Sequence, residues 1–469
     1  MSQQSAEFDS DVDIDWELYI LNDRYIPIRR LGYGSYSSVW LCYDAEYKKL
    51  VAVKIHNIND EIAGIKEERM LHIIKKLESP YLMEIMDSFS VPSPYRDGSH
   101  RCIVMNIMLG SMYDVITEDK YLNGIPANIV INVIYQMLIG LKEVHKLGYI
   151  HTDIKPENIL VAGLSIKDTD FLTYINLNEN TNIDDINEVK KIVHKYYYGL
   201  NEYDNDDDHD CYSDDNSDCN IDDTTNMSNI SDISDLSDIP DNLEMDCDTN
   251  SEFSDRQSYD IEASYRIDRS EVSENDNFED ETIQDNINDT GMYRDIINEC
   301  NIKLSDLGTC IKYKKKMSKF DIQTRYYKSP EILLHLNYNQ NCDIWALGCT
   351  MYELLTGNIL FNPDGVNGIS RERYHLHDIE RKLGSIPMHM KKESKLNDIY
   401  YTSNGKIKGI REFVPEPLFL TLGQHLLEND TEKHVIDNVI DFIHSCLEIE
   451  PCKRYNVDDC LSHPIFKLI

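Results

Sequence analysis

Residues 151–160 read HTDIKPENIL, and this stretch decides how the rest of the chain is interpreted. It places an aspartate, Asp153, five positions before an asparagine, Asn158, with Lys155 between them. Elsewhere this spacing would mean little, but the full ten-residue string is highly specific. Thr152 directly precedes the aspartate, and whether it belongs to a working site depends on the remaining sequence.

The residues of this stretch match the needs of phosphoryl transfer, in which phosphates are bound, metals are held and a hydroxyl is aligned. Asp153 would accept the hydroxyl proton, Lys155 would reach the γ-phosphate and Asn158 would bind a metal. Further along the chain, Asp306 in KLSDLG is the candidate second metal ligand. Thr324 in TRYYKSPEILL fits a hydroxyl that bridges Asp153 and Lys155.

A glycine-rich segment, LGYGSYSSV at 31–39, precedes this stretch and predicts a strand, a turn and a second strand. Gly32 and Gly34 have no Cβ, so the backbone there could approach the phosphates of ATP closely. By itself such a glycine pair is a weak signal, because glycine pairs in hairpins usually form ordinary turns. The predicted ATP-binding segment consists of Leu31, Gly32, Tyr33, Gly34, Ser35, Tyr36, Ser37, Ser38 and Val39.

The next strand and helix supply a candidate ion pair. In VAVKI at 51–55, Ala52 and Lys54 share one face, where a small residue suits an adenine and a cation suits the α- and β-phosphates. The helix predicted from EIAGIKEERMLHIIKKL has apolar residues at 62, 65, 70, 73, 74 and 77. Glu67 lies on the inward side of this helix and needs a cationic partner, for which Lys54 is the candidate.

The order of elements predicts an α+β protein. Strands with one main helix come first, and helices such as IVINVIYQMLIGLKEVHKLG follow. We therefore expect a bilobal fold with a small β-rich N-lobe and a larger helical C-lobe. The expected segments are an acidic N-terminal extension (1–24), a domain in two parts (25–200 and 301–469) and an acidic disordered insert (201–300).

The charge of the chain is concentrated in that insert. The 469 residues carry a formal net charge of −38, and residues 201–290 hold 31 acidic against 3 basic residues. This composition is typical of disorder, and the mildly acidic remainder has no basic footprint for nucleic acid. We expect no direct nucleic-acid binding.

The twelve cysteines form no C-x-x-C pair and are interpreted as reduced thiols. The first 16 residues, MSQQSAEFDSDVDIDW, are polar and acidic, unlike a signal peptide, and no segment predicts a membrane span. We expect an intracellular, soluble, monomeric protein of the cytoplasm or nucleus that does not bind membranes.

Over residues 25–467 outside the insert, these motifs make the chain resemble the eukaryotic protein kinase superfamily, most closely the SR-protein kinases (SRPK). The motifs are HTDIKPENIL, DLG in place of DFG, DIQTR before YKSPE, and IRRLGYGSYSSVWLCYD. SRPK members also carry a long spacer between the catalytic loop and the DLG, whereas RYHLHDIERKLGSIPMHM is more similar to the CLK kinases. The resemblance implies a protein kinase fold and serine/threonine kinase activity with ATP and Mg²⁺.

The resemblance implies a role for Thr152 in how the kinase is activated. Many kinases have an arginine at this position, which holds a phosphate on the activation loop and orders the loop. SRPK and CLK kinases share the threonine and are active without that phosphate. We therefore expect this chain to be active without activation-loop phosphorylation.

The substrate class stays open between arginine–serine-rich and acidic proteins. SRPK enzymes bind arginine–serine substrates in an acidic groove, but Tyr374 and Arg381 stand where its acids are expected, with Asp378 and Glu380 nearby. The stretch KYKKKMSK at 312–319 has five lysines. These lysines are either a solvated face, or they favour acidic substrates or dock the acidic insert as a brake.

A catalytically silent pseudokinase that recruits partners through the insert is the main alternative. Pseudokinases usually lose the base, the lysine or a metal ligand, and this chain retains the corresponding residues. A small-molecule kinase of related fold is disfavoured by SPE and DIWALG. Two structural roles complete the prediction: Asp343 would hold the catalytic loop, and Arg454 would pair with Glu331.

Overall fold

The computed structural model describes residues 14–34, 36–177, 185–199, 300–315, 317, 322–363, 369–410 and 414–468. All of them belong to one compact unit. The predicted insert, except Cys300, lies outside these residues, as do Ser35 and most of the N-terminal extension. Of the lysine run at 312–319, residues 316, 318 and 319 also lie outside them.

A five-stranded antiparallel sheet forms the N-lobe, in the order β1-β2-β3-β5-β4. Its strands are β1 Tyr25–Gly34, β2 Ser37–Asp44, β3 Lys49–His56, β4 Ile85–Pro92 and β5 Ser99–Asn106. Valine, isoleucine and aromatic residues on these strands pack well on a pleated surface. In β3, Lys54 lies opposite Val39 of β2 and Ile103 of β5, so it occupies the middle of the sheet.

The main helix of the N-lobe, α1 (Glu61–Lys75), is confirmed where the sequence predicted it. Its buried side includes Glu67 and Ile74, as predicted. Ile62 differs from the prediction, because 71% of its surface is exposed. It lies in the first turn, where residues 61–63 are all exposed.

Helices dominate the C-lobe, which confirms the predicted α+β bilobal fold. The helices that follow the N-lobe sheet in the described residues are α2 Met112–Ile116, α3 Ala127–Lys146, α4 Ile166–Leu177, α5 Ile186–Tyr198, α6 Pro330–Leu333, α7 Asn341–Thr356, α8 Arg371–Leu383, α9 Met388–Glu393, α10 Asn397–Tyr400, α11 Leu418–Glu428, α12 Lys433–Cys446 and α13 Val457–Leu461. Of these, α4 and α5 contact the N-lobe. Within the described part of the chain, α3 alone is long and apolar enough to cross a bilayer, and 67% of its most apolar window is buried in the fold. It is the central core helix of this lobe.

Short strands bring distant parts of the sequence together at the site. Strand β8 (Ile159–Val161) pairs on one side with β6 (Gly110–Ser111) and on the other with β9 (Ile302–Leu304), with Ile159 opposite Leu304. Strand β7 (Tyr149–Ile150) pairs with β10 (Ile311–Lys312). The segments before and after the insert are therefore fixed side by side.

Two helices of the spacer, α4 and α5, pack against the N-lobe sheet, on the face that also carries Ala52. Phe171 and Val193 are fully buried there in one apolar cluster with Ile26, Ile28 and Leu41. Apolar residues at 186, 189, 193 and 197 give α5 the periodicity of an amphipathic helix. The sequence prediction assigned this stretch to the domain without recognising its contact with the sheet.

Candidate active site

Thr324 bridges the two residues that the sequence predicts as base and phosphate-binding lysine. Its hydroxyl donates to a carboxylate oxygen of Asp153 at 2.6 Å and accepts from Nζ of Lys155 at 3.3 Å. Nζ of Lys155 also lies 3.2 Å from the Asp153 carboxylate. In the sequence, Thr324 is separated from Lys155 by 169 positions and from Asp153 by 171, so the fold brings distant parts of the chain together here.

The two predicted metal ligands flank the pairing of β8 with β9. The amide nitrogen of Asn158 donates to the carbonyl of Asp153 at 2.8 Å and to its carboxylate at 2.9 Å, which leaves the amide oxygen for a cation. Ser305, next to Asp306, donates its backbone N–H to the carbonyl of Asn158 at 2.9 Å. An amide oxygen and a carboxylate suit Mg²⁺, which normally takes few protein ligands and completes its shell with water and phosphates. Accordingly, no group of three or more histidine, cysteine or acidic side chains that could hold a metal occurs among the described residues.

Lys54 and Glu67 form the predicted ion pair, with Nζ 2.8 Å from the carboxylate. Nζ of Lys54 also lies 3.4 Å from Asp306, so the pair connects the N-lobe to a predicted metal ligand. Burial by itself would raise the pKa of Glu67, but Lys54, together with His56, lowers it to about 2. Burial would likewise lower the pKa of Lys54, but the carboxylates of Glu67 and Asp306 raise it above its ordinary value. Both groups are therefore charged in the folded protein at neutral pH.

The glycine-rich turn lies between β1 and β2. Gly34 pairs with Ser37 across it, and Tyr36 at its tip is 65% exposed. A Cβ added at Gly32 or Gly34 would have no neighbour within 4 Å, so this face is open to a ligand. Leu31, Gly32, Tyr33 and Gly34 end β1, Ser37, Ser38 and Val39 begin β2, and Ala52 is buried in β3.

Asp343 of α7 holds the backbone of the catalytic loop, as predicted. Its carboxylate accepts from the backbone N–H of His151 at 2.8 Å and of Thr152 at 2.9 Å. The predicted pair of Arg454 and Glu331 is also present, with two hydrogen bonds of 2.6 and 2.9 Å between side chains that are both fully buried.

Thr152 and Thr309 join the catalytic loop to the segment after the DLG. The Thr152 hydroxyl donates to the carbonyl of Thr309 at 3.1 Å. The Thr309 hydroxyl lies 3.0 Å from the carbonyl of His151 and 2.8 Å from that of Asp306, and its one proton is shared between them. Thr152 has a φ of 75°, which is unfavourable for a β-branched residue. Its backbone bond to Asp343 and its hydroxyl bond hold it there.

The acids near the predicted substrate groove are occupied by basic residues of the chain itself. Asp378, buried, lies 2.9 Å from Nζ of Lys382 and 3.6 Å from Arg381. Glu380, also buried, lies 2.6 Å from Nζ of Lys391. These carboxylates are therefore already neutralised inside the fold.

Three features of the site were not predicted from the sequence. They are the hydroxyl of Thr309, the close contact of His56 with Glu67, and the packing of Gly308. A Cβ at Gly308 would lie 2.8 Å from Cβ of Glu67, which explains why glycine follows Leu307 here. A sequence signal existed only for Gly308, as part of the DLG motif.

Comparison with known proteins places these motifs in context. The family model described as "Protein kinase domain" matches residues 25–203 and 292–466. The chain is 29% identical to serine/threonine-protein kinase L205 of Acanthamoeba polyphaga mimivirus, over 95% of this chain and 88% of the relative. It is 27% identical to protein kinase dsk1 of Schizosaccharomyces pombe, over 92% and 78% respectively. It is 24% identical to human SRSF protein kinase 3, over 95% and 86%.

Proposed function

Since the chain belongs to the protein kinase family and is an ATP-using serine/threonine kinase, we propose that Asp153 is its catalytic base. Lys155 and Thr324 position the reacting groups around this base. Asn158 and Asp306 hold Mg²⁺. Lys54, paired with Glu67, binds the α- and β-phosphates beneath the turn formed by residues 31–39, and Ala52 lies against the adenine.

The transfer step follows from these roles. ATP would supply the phosphoryl group, and Mg²⁺ held by Asn158 and Asp306 would neutralise charge on its phosphates. Asp153 takes the proton of the acceptor serine or threonine as the hydroxyl oxygen bonds to phosphorus and the bond to the leaving ADP oxygen breaks. Lys155 carries positive charge to the transferring group, and Thr324 fixes its distance from Asp153.

One observation carries the proposal: Thr324 simultaneously contacts Asp153 and Lys155 within hydrogen-bond distance. The pair of Lys54 and Glu67 is formed in the same structure. A pseudokinase transfers no phosphate, so it would not need the Thr324 contacts and the pair of Lys54 and Glu67 together. We propose in addition that the threonine contacts at Thr152 and Thr309 make activation-loop phosphorylation unnecessary.

The substrate is a protein with serine or threonine acceptors, and two sequence classes compete. The name of the human relative, SRSF protein kinase 3, favours arginine–serine-rich proteins. The neutralised Asp378 and Glu380, together with the exposed Lys312 and Lys315, favour acidic sequences. We propose the acidic class, because cations beside the activation segment would attract it.

The proposed partners and place of action follow the sequence. We propose that the enzyme acts as a monomer inside the cell, without direct contact to nucleic acid or membrane. We also propose that one kinase domain is formed by residues 25–200 and 301–469, interrupted by the acidic residues 201–300.

Transfer from labelled ATP to two peptides tests the proposal, one an arginine–serine repeat and the other a serine–aspartate repeat. Wild type should modify the acidic repeat with the higher kcat/KM, and Asp153→Asn should modify neither. The paired change Lys312→Ala and Lys315→Ala should raise KM for the acidic repeat and leave the arginine–serine repeat unaffected. Preference for the arginine–serine repeat would reject the acidic class, and no transfer by wild type to any substrate would reject the catalytic assignment.

A further inference from the structure

His56 is a buried histidine beside the ion pair of the site. It ends β3 two residues after Lys54, so both side chains lie on the same face of the strand. Only 2% of its surface is exposed. Its Nε2 lies 3.2 Å from a carboxylate oxygen of Glu67. Glu67 is therefore approached by two nitrogen-bearing side chains, those of Lys54 and His56.

Helix α1 has a gap that accommodates this imidazole. Gly64 lies one turn before Glu67 on the buried side of the helix, and a Cβ there would lie 2.9 Å from Cδ2 of His56. Glycine is among the poorest helix formers, so its presence inside α1 calls for a packing reason. The ring of His56 supplies that reason.

The backbone of His56 is fixed as well. Its carbonyl accepts a hydrogen bond from Nδ1 of His100 at 2.9 Å, and His100 lies buried on β5. The end of β3 is thereby attached to the neighbouring strand. The imidazole is consequently presented to α1 from a rigid part of the sheet.

Lys54 and His56 differ in what else they must do. Lys54 also contacts Asp306 and would share its charge with the phosphates of bound nucleotide. The contact of His56 with Glu67 requires no nucleotide. On the other side of Glu67, Gly308 packs against its Cβ, so the side chain is confined from two directions.

We propose that His56 is a positioning residue that holds Glu67, and with it α1, in the arrangement where Glu67 pairs with Lys54. This inference rests on the proposed function, because it assumes that the pair is needed for phosphoryl transfer. His56 contacts neither the acceptor hydroxyl nor the transferring phosphate in this role. It acts only through Glu67.

Two substitutions separate the contact from the shape of the side chain. His56→Gln keeps a buried donor near Glu67, and His56→Leu removes it at similar volume. We expect His56→Leu to lower kcat about tenfold, because it removes the 3.2 Å contact between Nε2 and the charged carboxylate of Glu67. We expect His56→Gln to recover most of this loss. Hydrogen–deuterium exchange of residues 61–75 should become several-fold faster in His56→Leu and remain near the wild-type rate in His56→Gln.

A double-mutant cycle with Glu67→Gln tests whether His56 works through Glu67. In the Glu67→Gln background, His56→Leu should cause no further loss of kcat. Equal tenfold losses in both backgrounds, or unchanged exchange of 61–75 in His56→Leu, would overturn the proposal. If His56→Leu lowers the melting temperature of the whole protein, the variant Gly64→Ala separates the two effects. The added methyl group improves the helix propensity of α1 but displaces the imidazole of His56. Faster exchange of 61–75 in Gly64→Ala supports the proposal, and slower exchange overturns it.

The exchange measurement also distinguishes failure of the proposed role of His56 from failure of the proposed kinase function. If wild type transfers no phosphate, the proposed function fails. The exchange rates of 61–75 in the absence of nucleotide still report whether His56 holds α1.

Discussion

Thr152 and Thr309 exchange hydroxyl hydrogen bonds across the start of the activation segment, at 3.1 Å to the carbonyl of Thr309 and 3.0 Å to the carbonyl of His151. This arrangement joins the catalytic loop to the segment after Asp306 without a phosphate. Both contacts are neutral hydrogen bonds, and neither involves a modified residue.

Loss of either threonine hydroxyl should lower activity. We expect Thr152→Val and Thr309→Val each to lower kcat about three- to tenfold, because each removes one hydrogen bond worth about 1 kcal/mol. The double variant should be little worse than either single variant, since the two contacts fix the same junction. Thr309→Ser keeps the hydroxyl and serves as the control. Wild-type kcat in both valine variants would show that the junction does not need these bonds.

The spacer helices should stabilise the N-lobe. Phe171→Ala removes a fully buried ring from the contact of α4 with the sheet and should lower the free energy of unfolding by about 3–5 kcal/mol. Ile166→Ala, on the same helix but 62% exposed, should change it by less than about 0.5 kcal/mol. Urea unfolding of both variants measures the difference. Similar values for the two would contradict the packing of α4 on the sheet.

The pair of Arg454 and Glu331 should be important for stability. Arg454→Met leaves the fully buried Glu331 carboxylate without its partner and should cost about 3–5 kcal/mol of unfolding free energy. Lys142→Met breaks a partly exposed pair with Asp458 and should cost at most about 1 kcal/mol. Thermal or urea unfolding of the two variants compares them directly. Equal losses would contradict the assigned difference in burial.

Glu67 should make stability depend on acid pH. The pKa of Glu67 is lowered from 4.5 to about 2 in the folded state, so the unfolded chain binds its proton first as the pH falls. The charged carboxylate therefore contributes stability that is fully present above about pH 5 and is lost towards pH 2. The difference in unfolding free energy between wild type and Glu67→Gln should shrink across this interval. A difference that stays constant from pH 6 to pH 2 would contradict the lowered pKa.

Much of the site was predictable because its residues belong to recognisable local motifs. Lys54 and Asp306 lie 252 positions apart, and each is identified by the few residues around it. The packing of α4 was not predictable in the same way, since amphipathic periodicity shows that a helix has a buried face but not which surface covers it. His56 and Thr309 acquire their contacts only when strands and loops meet in three dimensions. The neutralisation of Glu380 likewise depends on where Lys391 of α9 folds.

We propose that the active arrangement of this kinase exists without phosphorylation of the chain. The most direct measurement is the initial rate of phosphate transfer by phosphatase-treated wild type, with mass spectrometry confirming that no phosphate remains, beside untreated enzyme and Asp153→Asn. Treated and untreated wild type should have the same rate, and Asp153→Asn should be at least about 100-fold slower. A rate that disappears on treatment and returns after rephosphorylation of the activation segment would contradict the claim.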